Sequence, residues 1–321
     1  MLVNCVAYEN GKKLSKIPAE NISDYLLRPG CFVWVALQDA TSAELTEMQQ
    51  EFGLHELAVE DARHGHQRPK IDEYDHSLFT VLHIVELKGD EVIVGEVNIF
   101  IGMNYVMSVR TRTEQGFKSV RDRCEHEPHL LKQGSSFVYY ALMDAVVDRY
   151  FPVLDVLESE LEQIEEQIFG TSAALANIQR LYRLKQKVIV LKHAVLPLME
   201  AMGKLYGGRV PEVCVNTQAY FRDVYDHLYR INSTVDHIRD TIGTAMQANI
   251  SLVAIEESLV TKRLAGWAAI FAVATAFFGV WGMNFDYMPE LRWKYGYAFA
   301  LGVVFSICGF MYYRFRKSGW L

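Results

Sequence analysis

Gly282, Met283 and Asn284 form a short sequence whose residue types suit a site for a hydrated cation. Glycine allows backbone carbonyl groups to turn out of a helix. The amide oxygen of Asn284 can accept hydrogen bonds from water molecules that surround an ion. Several copies of the chain around an axis would place these acceptors in a ring, which could serve as a selectivity filter. The pattern Gly-x-Asn also ends ordinary helices, so these residues alone leave both interpretations open.

A stripe of small residues precedes this sequence. Ala268, Ala272, Thr275 and Gly279 fall on one helical face, at spacings of four, three and four residues. Small residues at such spacings usually mark close helix packing, which pore-lining helices in a ring also require. The stripe contains no carboxylate, although a site for a bare divalent ion would supply charged oxygens. It therefore favours an ion that keeps its water, and Mg²⁺ dehydrates most reluctantly among biological divalent ions.

Two apolar segments must position these residues. Residues 264–283 and 295–313 contain no charged side chain and have about the length that a helix needs to cross a hydrocarbon core of roughly 30 Å. A buried soluble helix is the alternative for either segment alone. Two such segments in succession, each with aromatic residues near its ends, favour a pair of membrane spans.

Basic residues predict the orientation of the two spans. Lys262 and Arg263 precede the first span, and a basic tail over residues 314–321 follows the second, with Arg314, Arg316 and Lys317. Basic flanks remain in the cytoplasm. Both termini are therefore predicted to be cytoplasmic, and the loop 284–294, which contains Glu290, is predicted to face the periplasm.

A long helix is predicted before the first span. No proline occurs between Pro211 and Pro289. A 3.5-residue period, typical of long near-parallel helix packing, is formed by Val224, Leu228, Ile231, Val235, Ile238, Ile242, Ala245, Asn249 and Leu252. A helix running from about Thr217 into the first span would be on the order of 100 Å long at 1.5 Å per residue. Residues 216–263 are therefore predicted to form a cytoplasmic stalk.

The preceding sequence predicts two further domains. Residues 1–125 indicate an α/β domain, with strands at 31–37, 78–87, 91–102 and 105–110, and a helix over 42–53 that has Ser42 as its N-cap and ends at Gly53. Residues 126–215 indicate a helical hairpin with legs at 137–168 and 172–206. Its acidic run is interpreted as a solvated face, with cation concentration as the alternative: Glu158, Glu160, Glu162, Glu165 and Glu166.

Composition and spacing narrow the possible functions. The formal net charge is −7, and no basic block interleaved with aromatic residues occurs, which argues against a nucleic-acid partner. The five cysteines lie far apart without C-x-x-C spacing, which indicates a reduced compartment and neither a disulfide framework nor a zinc site. Residues 1–125 contain no phosphate-binding glycine loop and no nucleophile–base pair, so the sequence predicts no enzyme.

Longer motifs resemble a known family. The sequence "GMNF" followed by "MPEL", between two C-terminal spans, is similar to the signature of the CorA family of magnesium and cobalt transporters. The segment "LAVEDARHGHQRPKIDEYD" (57–75) resembles the cytoplasmic motif of that family, and residues 220–240 resemble its stalk helix. The resemblance covers essentially the whole chain. It implies a homopentameric funnel in which the first span lines the pore and the second forms an outer ring.

The resemblance also implies roles for individual residues. Leu264 would lie near a cytoplasmic hydrophobic constriction, and pore positions would fall on Thr275, Gly279, Gly282 and Asn284. The basic residues of the tail would form a collar around the stalk. A cytoplasmic Mg²⁺ sensor between neighbouring subunits would use Glu60, Asp61 and Asp223.

Several positions depart from the family pattern. Gln247 stands at a stalk position that is usually acidic and faces Asp61, so a neutral amide should weaken that divalent site. Ser258 follows Glu257 where many members have Gln-Asn, and Ala274 stands where many have proline. His64 and His66 could suggest a transition-metal site, but structural histidines are the favoured interpretation.

The resemblance implies a channel-like transporter for influx of hydrated Mg²⁺ across the bacterial inner membrane, gated by cytoplasmic Mg²⁺. Co²⁺ and Ni²⁺ are further candidate ions, and no cofactor is expected beyond Mg²⁺ as transported and regulatory ion. One alternative is a transporter of zinc or another divalent metal on the same scaffold, against which Met283 argues, because such relatives tend to alter the middle residue of Gly-Met-Asn. Another is a membrane-anchored enzyme or signalling protein.

Overall fold

A computed structural model describes residues 1–170, 174–207, 210–286 and 288–321. These residues form two compact units. The first contains Met1–Gly170 and Leu175–Thr244, and the second contains Ala245–Leu321 together with Ala174. The boundaries predicted at residues 125 and 215 lie inside the first unit and remain predictions of its finer organisation.

The first unit contains a seven-stranded sheet with the order β2-β1-β3-β7-β6-β5-β4. Its strands are β1 Leu2–Glu9, β2 Lys12–Lys16, β3 Cys31–Gln38, β4 Lys70–Tyr74, β5 Ser77–Lys88, β6 Glu91–Gly102 and β7 Tyr105–Thr111. Neighbouring strands are antiparallel except β3 and β7, which pair in parallel. The four predicted strands are confirmed, whereas β1, β2 and β4 were not predicted.

Ten α-helices complete the described part of the chain: α1 Ile22–Leu26, α2 Ser42–Phe52, α3 Glu56–His64, α4 Lys118–His126, α5 Pro128–Leu131, α6 Ser135–Asp148, α7 Tyr150–Gly170, α8 Ala174–Tyr206, α9 Gln218–Trp281 and α10 Gly296–Lys317. Short 3-10 turns cover Ala19–Asn21, Glu212–Thr217 and Pro289–Arg292. The predicted class, an α/β domain with a long helix and two C-terminal apolar helices, is therefore confirmed.

Helices cover both faces of the sheet, because successive side chains of each strand point to opposite sides. Val33, Val35 and Leu37 of β3 pack in one core with residues of α1, α2 and α3. Trp34, between them, lies on the other face, toward α4 and α6. This layered arrangement buries the sheet and fixes the elements on both of its sides.

The start of α2 differs from the prediction. Thr41, and not Ser42, is the N-cap: its hydroxyl accepts a hydrogen bond from the backbone N–H of Glu44, whose carboxylate accepts one from the Thr41 backbone N–H. This capping box explains why the N-cap lies one residue earlier than predicted. Gly53 ends the helix in the left-handed conformation, as predicted.

The helical hairpin differs from the prediction at one point. The first leg divides into α6 and α7 around Arg149, because Pro152 lacks the N–H that would bond to the carbonyl of Asp148. Within the acidic run, Glu162 and Glu166 are exposed, and Glu160 pairs with Lys187 of α8 at 2.9 Å. The second leg ends at Tyr206. The predicted start of this leg, residue 172, lies outside the described residues.

The long helix is confirmed. α9 has 64 residues, which corresponds to about 96 Å at 1.5 Å per residue, and Gly243 does not interrupt it. The predicted seam is buried from Val224 through Asn249. Leu252, its last predicted member, is instead 38% exposed. Lys192 of α8 pairs with Asp236 of α9 at 2.5 Å, which fixes the register of these two helices.

Candidate functional site

The predicted filter sequence begins where α9 ends. The Gly282 N–H donates to the Phe278 carbonyl at 2.9 Å, the last bond of the α-helical pattern, and the Met283 N–H donates to the Val280 carbonyl at 3.3 Å in a tighter turn. A Cβ atom at residue 282 would lie 3.1 Å from the Phe278 oxygen, so glycine relieves crowding there. Asn284 is exposed just beyond this turn. The helix therefore stops where the glycine was predicted to release its carbonyl groups.

The predicted small-residue stripe has no partner within the described second unit. Ala268, Ala272, Thr275 and Gly279 are all exposed, and a Cβ added at residue 279 would meet nothing within 4 Å. The Thr275 hydroxyl donates to the Phe271 carbonyl at 2.8 Å, which leaves its oxygen able to accept hydrogen bonds. The stripe is thus a smooth, uncharged helix face that is free to line a pathway.

α10 covers the opposite face of α9. Leu321, beyond the end of α10, approaches the position of a Cβ at Gly266 within 3.3 Å, and the rings of Trp267 and Tyr312 are 6.1 Å apart. Ile270 is 9% exposed, with its carbonyl 3.8 Å from Cys308 Sγ. Ala268 and Ala272 each lie two positions from Ile270, and Thr275 and Gly279 each lie two positions from the partly buried Phe277. Two positions correspond to about 200° around a helix with 3.6 residues per turn. α10 therefore leaves the stripe open.

The apolar surface of the second unit fits a membrane. α9 and α10 are the two described helices that are long and apolar enough to span one. Large side chains are exposed along them, including Leu264 at 67%, Phe305 at 71% and Phe310 at 66%. Aromatic residues lie near both ends of the apolar segments, as in membrane proteins.

The basic residues after the second span are not a separate tail. Arg314, Arg316 and Lys317 form the last turn of α10, which continues four residues beyond the predicted end of the span. The N–H groups of Gly319 and Trp320 close this helix by bonding to the carbonyls of Arg316 and Phe315. Because Tyr312 lies against Trp267, these basic residues lie at the same end of the helix pair as Lys262 and Arg263. Glu290 belongs to the 3-10 turn of the loop, and its side chain is outside the described part.

Two predicted sensor residues lie on α3. Glu60 is exposed, whereas Asp61 is partly buried and accepts a hydrogen bond from Lys70 Nζ at 2.7 Å. Lys70 also lies 2.8 Å from Asp72. Burial alone would lower the pKa of Lys70, but hydrogen bonds to the two aspartates raise it above its usual value. A cation at Asp61 must therefore compete with a lysine of the same chain.

The third predicted sensor residue belongs to a cluster. Asp223 and His227 of α9, together with Asp144 of α6, place one ligand atom each within 4.8 Å of one another. Asp144 is nearly buried and accepts a hydrogen bond from Arg123 at 3.0 Å. His227 Nδ1 lies 3.6 Å from Asp148 and has no hydrogen-bond partner among the described residues. Across the described ranges, this is the one group of three such ligands, so neither Glu60, Asp61, His64 nor His66 belongs to one.

The cluster is rich in negative charge. Burial, followed by the charge of Asp144, raises the pKa of Asp148, and Asp223 contributes in the same direction. Two carboxylates can hold Mg²⁺ through its retained waters, and a nearby imidazole adds a ligand that first-row transition metals accept. The residues present therefore fit a divalent cation.

Two members of this cluster, Asp144 and His227, were not predicted from the sequence. The spacing of Asp223 and His227, four residues apart on one helix face, could have indicated a shared site. Asp144 offered a weaker signal, as an acid within the otherwise apolar middle of α6. Only the packing of α6 near α9 brings it to the other two.

The positions that depart from the family pattern lie in the second unit. Gln247, Glu257 and Ser258 are exposed on α9. Ala274 is partly buried, and α9 continues through it without interruption. An alanine keeps the N–H that a proline would lack, so the helix has no reason to kink here.

Two membrane-length helices with an uncharged open stripe and a helix end at Gly-Met-Asn define a membrane transporter for ions. The family model described as "CorA-like Mg2+ transporter protein" matches residues 30–317. The chain belongs to this family.

Individual relatives agree with this assignment. The chain is 32% identical to the cobalt/magnesium transport protein CorA of Thermotoga maritima over 297 residues, which cover 90% of this chain and 83% of the relative. The solved structure of the CorA magnesium transporter from Methanocaldococcus jannaschii matches with a TM-score of 0.78 at 19% identity and covers 100% of both chains.

The fold is also similar to that of a protein named ZntB, at lower identity. The ZntB cytoplasmic domain from Vibrio parahaemolyticus matches with a TM-score of 0.57 at 12% identity, covering 79% of this chain and 98% of that domain. At this identity the match concerns the fold alone. The alternative of a zinc transporter is therefore weaker than that of a magnesium transporter.

Proposed function

We propose that this protein forms a homopentameric channel that conducts hydrated Mg²⁺ into the cell. The observation that carries this proposal is the open stripe of α9, which bears no charge, lies opposite the face covered by α10 and leads to Gly282 and Asn284. Five such faces around an axis would form a narrow, neutral pathway that ends in a ring of amide and carbonyl oxygens.

The chemistry of this pathway favours hydrated ions. Neutral oxygens replace the inner waters of Mg²⁺ poorly, but they accept hydrogen bonds from those waters. Hydrated Co²⁺ and Ni²⁺ would pass by the same contacts. A membrane potential that is negative inside would drive a divalent cation inward by about 4.6 kcal/mol per 100 mV, since each elementary charge contributes about 2.3 kcal/mol. Transport would then need no chemical reaction.

The proposed location is the bacterial inner membrane, with both termini in the cytoplasm. The basic residues before the first span and at the end of α10 lie at one end of the helix pair, which is the end that should remain cytoplasmic. Gly282, Met283 and Asn284 would then lie at the periplasmic mouth, beside the loop that contains Glu290.

Cytoplasmic Mg²⁺ would regulate the channel through acidic groups. Asp223 would bind a divalent ion together with Asp144 and His227, and Glu60 and Asp61 would supply charge at a neighbouring subunit. An ion held there stabilises the closed arrangement only if it binds this arrangement more tightly than the open one.

Growth on limiting Mg²⁺ tests the proposed transport. A bacterial strain without its own Mg²⁺ uptake systems should grow when it produces this protein. Its sensitivity to Co²⁺ and Ni²⁺ should rise at the same time, whereas Zn²⁺ sensitivity should not. Zn²⁺ sensitivity without rescue on limiting Mg²⁺ would contradict the magnesium assignment and support the zinc alternative.

A prediction concerns the neutral residue in the stalk. Gln247→Asp should lower the cytoplasmic Mg²⁺ concentration that closes the channel, because it restores the carboxylate that the family pattern places opposite Asp61. Asp223→Ala should raise that concentration, because it removes an anionic ligand. Flux in proteoliposomes, measured against internal Mg²⁺, checks both effects. An exposed acid elsewhere on α9, changed as Asp240→Ala, serves as control. If all four curves superimpose, these residues are not the sensor.

A further inference from the structure

A cavity lies between the sheet and α4 in the first unit. It has a volume of about 360 Å³, within the range of small-molecule sites. Strands β1, β2, β3 and β7 form one side, and residues 116–118 with the first turns of α4 form the other. Trp34, Ala36 and Phe117 give it a mostly apolar wall.

Basic side chains surround this apolar wall. Five line the cavity, namely Lys13, Lys16, Arg110, Lys118 and Arg121, against a single acid, Asp122. Lys13 pairs with Glu125 outside the cavity at 2.9 Å. The chain as a whole carries a net charge of −7, so this local excess of positive charge is a specific feature of the site.

Arg121 is the central group of the cavity. Its residue is 8% exposed, and its guanidinium carbon lies 4.6 Å from the centre of the Trp34 ring. Within the described ranges its guanidinium makes no hydrogen bond and has no carboxylate within 4.0 Å, and its Nε is buried without a partner. Glu125 and Asp122 act on it only over longer distances. A buried charge without a partner is costly, and a bound anion removes that cost.

Three further groups point to the same kind of ligand. Trp34 Nε1 is a buried donor without a partner in the part of the chain that the structure describes. Among the described residues, the Arg110 guanidinium bonds only to neutral oxygens, those of the Gln38 side chain at 2.5 Å and of the Glu114 carbonyl at 3.2 Å. The N-terminus of α4 has no side-chain cap. Uncapped N–H groups and the helix dipole favour a negative group beside them.

We propose that this cavity binds a small organic anion, with its acidic group on Arg121 and its apolar part against Trp34 and Phe117. The ligand carries a carboxylate or a phosphate ester, because both accept the paired hydrogen bonds that a guanidinium offers. Inorganic anions lack the apolar part that the wall requires. The site is independent of the pore residues and gives the cytoplasmic domain a second ligand besides the metal ion.

Calorimetric titration of the full chain in nanodiscs, without divalent ions, tests this site. The probes are benzoate and phenyl phosphate, with inorganic phosphate and benzyl alcohol as the charge-only and apolar-only comparisons. One molecule of at least one organic anion should bind per chain, at least roughly tenfold more tightly than either comparison. Preference for benzoate would identify a carboxylate ligand, and preference for phenyl phosphate a phosphate ester. Equal binding of inorganic phosphate, or no binding of either organic anion, would overturn the proposal.

Substitutions test whether the organic anion binds in this cavity. Arg121→Gln should weaken it by roughly tenfold or more, the effect of losing a charge-assisted hydrogen bond. Arg28→Gln is the matched control, because Arg28 also stacks on an aromatic ring, at 4.2 Å from Tyr25, but is exposed and outside the cavity. If Arg121→Gln fails to fold, the double variant Lys16→Gln and Lys118→Gln changes only exposed residues of the rim. Unchanged affinity in a folded variant of either kind would overturn the assignment.

Discussion

Asn284→Ala is expected to abolish Mg²⁺ uptake while the oligomer still assembles. Asn284 is exposed just beyond the end of α9, where its side chain is free to bond to the waters of an ion. A hydrogen bond to a charged group is worth roughly 1.5–3 kcal/mol, and the substitution removes one from every subunit of the ring. The uptake rate should therefore fall by about a hundredfold or more.

Two further variants make this test specific. Asn284→Gln keeps the amide but moves it outward by one methylene group, and we expect intermediate uptake. Phe285→Leu changes the neighbouring exposed residue and should leave uptake near the unaltered level. Elution as an oligomer confirms assembly of each variant. Normal flux through an assembled Asn284→Ala protein would rule out the filter assignment.

Leu264→Ser is expected to make the closed channel leak. Leu264 is 67% exposed on the same side of α9 as the small-residue stripe, at the cytoplasmic end of the first span. No charged group lies on that face of the span, so closure depends on an apolar constriction that excludes water. A hydroxyl at this position lets water remain in the constriction. Flux at high cytoplasmic Mg²⁺ should then rise several-fold.

The control for this variant is Leu259→Ser. Leu259 is also exposed on α9 but lies five residues earlier, about 140° around the helix. The Leu259→Ser channel should still be closed normally by cytoplasmic Mg²⁺. Flux is measured in proteoliposomes at low and at high internal Mg²⁺ for both variants. If Leu264→Ser closes as well as the unaltered protein, the constriction lies elsewhere.

Local patterns were sufficient to predict the helices and strands that have strong periodicity. The 3.5-residue pattern predicted α9, and four apolar runs predicted β3, β5, β6 and β7. The pattern failed at its end, because Leu252 looks like another seam residue but is exposed. Periodicity identifies the face of a helix, whereas the length of the neighbouring helices decides where that face is covered.

Sites that depend on distant residues could not be predicted from one sequence. Asp144 and Asp223 are 79 positions apart, and only packing in the first unit makes them neighbours. Arg121 and Trp34 are 87 positions apart, and their contact requires α4 to lie over the sheet. By contrast, the filter sequence and the stripe lie within 17 consecutive residues of one helix end, so their spacing alone indicated a shared role.

Mg²⁺ influx into liposomes that contain only this protein is the most direct test of the proposed channel. Internal Mg²⁺ is measured with a fluorescent indicator while an imposed potential is switched between negative and positive inside. Influx should exceed that of protein-free liposomes and should be faster when the inside is negative, because the potential drives the divalent charge inward. Influx no faster than in protein-free liposomes, from a protein that elutes as an assembled oligomer, would contradict the assignment as a Mg²⁺ channel.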